Sequence, residues 1–60
     1  MTYILQRRPA YRGKWFDYKT SDNIDELRNE IRSYRKDEEE YQLAHPKYAF
    51  CEQRIVELVE

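Results

Sequence analysis

Hydrophobic positions between Asn23 and Leu43 recur at the spacing of an amphipathic α-helix. Separated by three or four residues, four apolar side chains form one stripe: Ile24, Leu27, Ile31 and Tyr34. Tyr41 continues the stripe, and the positions between are almost all charged. The pattern predicts one helix over residues 23–43, with Asn23 as its N-cap and Ser21 or Asp22 as the alternatives. Another element must cover the apolar stripe.

The acidic residues of this helix have opposite effects at its two ends. Asp25 and Glu26 lie at the positive end of the helix dipole and stabilise the first turn. The acidic run at positions 37–40 lies toward the negative end, where the same interaction is unfavourable. We therefore predict that the helix frays after about Lys36, and Pro46 marks the position beyond which no helix continues.

Alternating apolar and polar residues predict a β-hairpin before the helix. In residues 2–8, Tyr3 and Leu5 share one face of a strand, because successive side chains point to opposite faces. Pro9 and Gly13 bracket a turn, since proline fixes φ and glycine accepts a positive φ. Residues 14–19 return as a second strand with Phe16 and Tyr18 on one face, so the hairpin covers residues 2–19.

The segment at positions 48–59 fits two structures. As a strand, its apolar residues Tyr48, Phe50, Val56 and Leu58 share one face. As a helix, its stripe consists of Cys51, Ile55, Leu58 and Val59. The β-branched residues and the preceding proline favour the strand, and the helix remains the alternative.

Together these elements predict one α+β domain over residues 1–60. The order is ββαβ, a three-stranded antiparallel sheet with the first strand in the middle and one amphipathic helix packed on one face. The alternative is ββαα, with a C-terminal helix. One helix covers only one face, although the chain has six tyrosines, two phenylalanines and a tryptophan. Some aromatic surface should remain exposed, which is typical of a contact site.

Residue types restrict the chemistry of the chain. Cys51 is the only cysteine and His45 the only histidine, so neither a disulfide within the chain nor a four-ligand zinc site of Cys and His is available. His45 precedes a proline, outside any catalytic motif, and one glycine cannot build a phosphate-binding loop. We expect no enzyme, no cofactor and no bound metal, with Cys51 as a small buried apolar side chain.

Chain length suggests self-association. A domain of this size buries only about 60% of the surface that its unfolded form exposes. Without disulfides or a metal, a second copy would add the missing buried area, so we predict a homodimer. No apolar run approaches the ~18 residues of a membrane span, and residues 1–8 do not resemble a signal peptide. We expect a soluble, cytoplasmic protein that does not bind membranes.

Charge is distributed unevenly along the chain. Residues 1–20 carry five basic side chains against one acidic (+4), and residues 21–60 carry six against eleven (−5). The two halves either neutralise each other or form two candidate contact surfaces. We call the first the basic–aromatic hairpin, which consists of Arg8, Tyr11, Arg12, Lys14 and Trp15. We call the second the acidic helix face, which consists of Glu30, Asp37, Glu38, Glu39 and Glu40.

Each surface suggests a different kind of partner. Cations interleaved with aromatic rings are suited to single-stranded nucleic acid. A row of carboxylates is suited to a basic groove that otherwise binds phosphates. We therefore expect a binding protein that occupies a surface of a larger macromolecule. The alternative is a small nucleic-acid-binding module that uses the basic–aromatic hairpin.

The layout of three successive stretches resembles a group of small proteins. These stretches are GKWFDY, SDNIDELRNEIRSYR and YAFCEQRIVELVE. They resemble the orphan proteins encoded in early regions of bacteriophages and prophages, which include host-takeover and anti-defence proteins such as anti-CRISPRs. The resemblance covers the whole chain in layout and assigns no functional residue. It implies a non-enzymatic inhibitor of a host or defence protein or ribonucleoprotein complex, often a dimer.

Overall fold

The computed structural model describes residues 1–59 and has the predicted order ββαβ. The elements are β1 (Thr2–Arg8), a 3₁₀ turn (Pro9–Tyr11), β2 (Phe16–Ser21), α1 (Ile24–Ala44) and β3 (Glu52–Leu58). The strands form one open antiparallel sheet in the order β2-β1-β3, and α1 packs on one face. The predicted α+β fold, with the first strand in the middle, is confirmed.

The two faces of β1 differ as the alternation predicts. Leu5 lies on the face that α1 covers, and with Leu27 of α1 it is fully buried. These are the only fully buried apolar side chains in the described part of the chain. Gln6 lies on the opposite, open face, where its amide donates to Asp17 and accepts from Arg54, both at 2.8 Å. The core is therefore small.

A β-bulge in β2 sets the position of Tyr18. Leu5 of β1 pairs with Lys19, whereas the next residue, Gln6, pairs with Asp17, so Tyr18 is the extra residue. Its ring lies 6.5 Å from that of Tyr34 on α1, between centroids, in an edge-to-face arrangement. The strand runs from position 16 to 21, two residues later than the predicted 14–19.

Helix α1 starts where the sequence predicts. The Asn23 side chain accepts a hydrogen bond from the backbone N–H of Asp25 at 3.0 Å and caps the first turn. The Ser21 hydroxyl accepts from the backbone N–H of Asn23 at 3.0 Å and donates to Glu26 at 2.8 Å. This bond from Ser21, together with the Lys19 ammonium group, lowers the pKa of the Glu26 carboxyl. These contacts hold the end of the hairpin against the first turn of α1.

The helix continues to Ala44, within one residue of the predicted end at position 43, and the structure does not show the predicted fraying after Lys36. The segment at positions 48–51 packs against the last turns of the helix. The Tyr41 ring lies 4.8 Å from that of Tyr48, between centroids, and the Gln42 amide donates to the Tyr48 carbonyl at 3.0 Å. These contacts with the segment that follows the helix outweigh the unfavourable charges at its end.

The C-terminal segment is a strand, and the ββαα alternative is wrong. β3 pairs along the whole of β1, from Thr2 opposite Leu58 to Arg8 opposite Glu52. It starts at position 52 and not at 48 as predicted, because residues 48–51 lie along α1. Within residues 1–59, no helix is both long and apolar enough to cross a membrane.

The molecule is elongated. Its Cα radius of gyration is 12.6 Å, against about 10 Å for a compact chain of this length. The longest dimension is 42 Å and the shortest is 10 Å. A helix of 21 residues is about 31 Å long, whereas strands of seven residues are about 23 Å long. The sheet is therefore too short to cover the whole helix.

Candidate binding surface

The structure separates the five residues of the basic–aromatic hairpin into two groups. Arg8 is half-buried and forms an ion pair with Glu52, with 2.6 Å between Nη2 and Oε2. The Trp15 ring receives two cation–π contacts, from Arg8 at 4.7 Å and from Arg54 at 4.0 Å. Arg8 and Trp15 are therefore held by contacts within the chain, and their role in binding a partner stays a prediction.

The other three residues, Tyr11, Arg12 and Lys14, lie exposed on the loop of the hairpin. Tyr11 is 67% exposed, and neither cation forms a salt bridge within residues 1–59. Ala10 and Tyr11 have φ values of 42° and 64°, which L residues with a Cβ rarely adopt. A strained backbone of this kind costs about 1–3 kcal/mol per residue. The loop thus presents Tyr11 at some cost in stability.

The acidic helix face is smaller than predicted. Asp37, Glu39 and Glu40 are exposed, and Glu30 is half-exposed and pairs with Lys19 at 3.4 Å. Glu38 is only 4% exposed, so the prediction that it belongs to this surface is wrong. Its position on the helix directs its side chain toward the segment at 48–51.

Glu38 joins α1 to that segment. Its carboxylate accepts hydrogen bonds from the Tyr48 hydroxyl at 2.7 Å and from the backbone N–H of Cys51 at 2.8 Å. The Arg35 guanidinium lies 3.5 Å away and supplies the opposite charge. A buried carboxylate is tolerated only when it is paired and hydrogen-bonded in this way. Glu38 is therefore a structural residue.

The same contacts change the titration of two neighbours. The hydrogen bond to Glu38, with burial, raises the pKa of the Tyr48 hydroxyl far above its ordinary value of 10.0. Burial, followed by the Glu38 charge, raises the pKa of the Cys51 thiol. Cys51 is half-buried, which is less burial than the sequence predicted. A protonated thiol is a poor nucleophile near neutral pH.

A groove of about 340 Å³ opens between the end of β1, β2, α1 and the segment at 48–51. We call it the aromatic groove, and its principal lining residues are Arg7, Phe16, Tyr18, Tyr34, Tyr48 and Cys51. Phe16 and Tyr18 lie on the same side, as predicted, and are 62% and 63% exposed. The volume lies in the range of sites that hold small ligands or single side chains.

Arg7 is only 6% exposed. Among residues 1–59, it is the only cationic residue of the groove lining that is nearly fully buried. Its guanidinium carbon lies 4.0 Å from the ring centroid of Tyr18 and 3.9 Å from that of Tyr34. Nε donates to the Gln53 side chain at 2.8 Å. The nitrogen Nη2 is buried and has no hydrogen-bond partner within residues 1–59. An unsatisfied buried donor costs about 1–3 kcal/mol.

The sequence contained a signal for Arg7 that the prediction did not use. Arg7 follows Tyr3 and Leu5 at a spacing of two, so it belongs to the face that packs on α1. An arginine at such a position is usually assigned to the exposed end of a strand, because arginine side chains are rarely buried. Rings from β2 and α1 made burial possible here, and those rings cannot be located from local patterns.

No protein-family model, curated protein or solved structure matches the chain. Within residues 1–59, no cluster of three or more histidine, cysteine, aspartate or glutamate side chains is placed to hold a metal ion. Function is therefore inferred from three features: the exposed rings, the free cations of the loop, and the aromatic groove with its buried arginine.

Proposed function

We propose that the chain is a non-enzymatic binding protein that occupies a surface on a larger protein. The observation that supports this most is the exposure of Tyr11, Phe16 and Tyr18, each of which is more than 60% accessible. Exposed aromatic residues are typical of contact sites, and tyrosine and arginine are frequent among the residues that dominate binding energy. The rings belong to the hairpin that also carries Arg12 and Lys14.

Inhibition of a host or defence protein is consistent with such a surface. A small chain that covers a functional face of its target blocks it by occupancy and needs no reaction of its own. The resemblance in layout to phage early proteins supports a target in the cytoplasm of the host cell. A homodimer belongs to the same proposal, because a second copy would cover apolar area that a thin sheet leaves exposed.

Affinity capture from a host-cell lysate tests this proposal. We expect the wild-type chain to retain one protein in a fixed ratio, before and after nuclease treatment. A variant with Tyr11→Ser, Phe16→Ser and Tyr18→Ser should lose that protein. The matched control is Tyr41→Ser with Leu43→Ser, since these residues are also exposed (52% and 85%) but lie at the end of α1.

Two results would contradict the proposal. One is that the triple variant retains the protein as well as the wild type does. The other is that the control variant loses the captured protein to the same extent, which would place the contact on the end of the helix. The folded state of each variant is checked by circular dichroism before capture.

The second candidate function is binding of single-stranded nucleic acid by the hairpin loop. It is favoured by the exposure of Tyr11 next to two cations that have no salt-bridge partner within the described residues. A salt-dependent gel shift with single-stranded DNA and RNA tests it. Micromolar binding that is lost in Arg12→Ala with Lys14→Ala would make this the function.

A further inference from the structure

We infer that the aromatic groove binds an acidic peptide segment of the partner protein. A large apolar side chain of that segment lies between the rings of Phe16 and Tyr18, and a neighbouring carboxylate pairs with Arg7. This inference rests on the proposed function and specifies the chemistry of the partner. The apolar part of the site and its charged part are supported by separate observations.

The lining of the groove selects an apolar group. Four of its principal lining residues are aromatic, and two of these, Phe16 and Tyr18, are mostly exposed. Aromatic rings offer a large apolar area and lose little conformational entropy when a ligand fixes them. At about 340 Å³ the groove has the size for a side chain, not for a folded element.

The charge requirement comes from Arg7. Its Nη2 is buried and unpartnered, while Nε is already bonded to Gln53. A guanidinium group with a free terminal nitrogen matches a carboxylate oxygen, and the pair is strong where water is excluded. The Tyr18 ring covers Arg7 at 4.0 Å and is 63% exposed at a bulge of an edge strand. Displacement of this ring would expose Nη2 to the ligand.

The other charged groups near the groove leave this site positive. Arg8 is neutralised by Glu52 at 2.6 Å, and the Glu38 carboxylate is satisfied by Arg35, Tyr48 and Cys51. The Arg7 charge has no carboxylate partner within residues 1–59. A partner of opposite charge would therefore be complementary to the groove.

A peptide fits this arrangement better than a nucleic acid does. Nucleic acid binds along a row of free cations with rings on which successive bases stack. Here one nearly buried cationic donor borders an open groove lined by aromatic rings, and Arg8 and Trp15 are engaged within the chain. The pairing of one carboxylate with one apolar side chain corresponds to an acidic residue beside Phe, Trp or Leu.

A displayed library of random heptapeptides is the probe. We expect the enriched peptides to share Asp or Glu within two residues of a large apolar side chain. Fluorescence anisotropy then measures the best peptide on the wild type and on three variants. Phe16→Ala and Arg7→Met should each weaken binding about tenfold, whereas Leu43→Ala, at an exposed site far along α1, should not change it.

The decisive measurement is a double-mutant cycle between the peptide acid and Arg7. Replacing Glu by Gln in the peptide should weaken binding to the wild type about tenfold but leave binding to Arg7→Met nearly unchanged. The first half of the cycle uses the unaltered protein, so it does not depend on how the variant folds. An oligothymidylate of twelve nucleotides, added as a competitor, should not displace the peptide.

Three results would overturn the inference. The enriched peptides lack the acidic–apolar pair, the Glu→Gln peptide binds the wild type equally well, or the oligothymidylate displaces the peptide. The first two leave the proposed function intact if lysate capture still depends on Tyr11, Phe16 and Tyr18. Failure of that capture would instead contradict the proposed function.

Discussion

Arg7 is buried because two tyrosine rings, from different elements, contact its guanidinium group. Tyr18 approaches from the bulge of β2 and Tyr34 from α1, both at about 4 Å. Cation–π contacts of this kind are worth up to about 2 kcal/mol when water is excluded. They offset only part of the cost of burying a charge whose Nη2 lacks a partner. The contacts of the Arg7 side chain with the two rings therefore stabilise the fold, whereas the burial of its charge destabilises it.

Substitution of Arg7 separates shape from charge. Arg7→Met keeps a long apolar side chain between the rings and should cost less than about 1 kcal/mol of unfolding free energy. Arg7→Lys leaves an ammonium group buried without the planar contact or the Gln53 bond, and should cost about 1–3 kcal/mol. Urea denaturation of both variants measures the difference. A larger loss in Arg7→Met than in Arg7→Lys would show that the charge itself stabilises the fold.

Stability should fall at alkaline pH because the folded chain retains protons. The pKa of the Cys51 thiol is raised by burial and that of Tyr48 by its bond to Glu38. Both contributions are complete below the ordinary values of 9.0 and 10.0 and are lost as the pH rises through the raised values. We expect the unfolding free energy to decline above about pH 9. Cys51→Ser with Tyr48→Phe should flatten the decline, and Tyr11→Phe should not.

At the scale of elements, the last turns of α1 depend on a segment that has no regular structure. Residues 48–51 supply the Tyr48 hydroxyl and the Cys51 N–H to Glu38, and the Tyr48 ring to Tyr41. The acidic residues near this end oppose the helix dipole. The end of the helix is therefore stabilised from outside, by contacts 10 and 13 residues away in sequence.

Glu38→Gln tests this dependence. The amide is close to the carboxylate in size, but it weakens the bonds to Tyr48 and Cys51 and loses the ion pair with Arg35, so we expect a loss of about 1.5–3 kcal/mol. Amide hydrogen exchange should increase over residues 39–44 and much less over 24–36. Glu39→Gln is the matched control at an exposed position and should have almost no effect. Equal losses of stability in the two variants would contradict the structural role of Glu38.

At the scale of the whole molecule, the chain has little interior. Leu5 and Leu27 are the fully buried apolar side chains of residues 1–59, and the shortest dimension of the Cα trace is 10 Å. Met1, Leu43 and Val59 are more than 80% exposed. A chain with this balance has a small free energy of folding, and contact with a second copy would raise it.

A homodimer predicts a stability that depends on concentration. Raising the protein concentration about a hundredfold should raise the midpoint of thermal unfolding by several degrees, because association stabilises only the folded state. Light scattering should give twice the mass of one chain at the higher concentration. A constant midpoint together with the mass of a single chain would remove the dimer from the proposal.

Local patterns predicted the elements that depend on neighbouring residues. The period of two located β1 and favoured β3, and the period of 3.6 and Asn23 located the start of α1. Three features were beyond such patterns: the bulge at Tyr18, the contacts that keep the last turns of α1 helical, and the burial of Glu38. Each depends on a pairing between distant segments, as does the bond from Arg7 to Gln53, 46 residues away. For the same reason, local patterns identified the residues of the basic–aromatic hairpin as a set. They did not show which of these residues have contacts within the chain.

The left-handed backbone at Tyr11 allows the effect of this residue on folding to be measured separately from its proposed role in binding. Glycine accepts a φ of 64° without a steric penalty, so Tyr11→Gly should leave the free protein equally stable or more stable by up to about 1 kcal/mol. The same change removes an aromatic ring that is 67% accessible, and partner capture should weaken. The melting temperature would then stay the same or rise while the affinity falls, the signature of a side chain retained for another molecule.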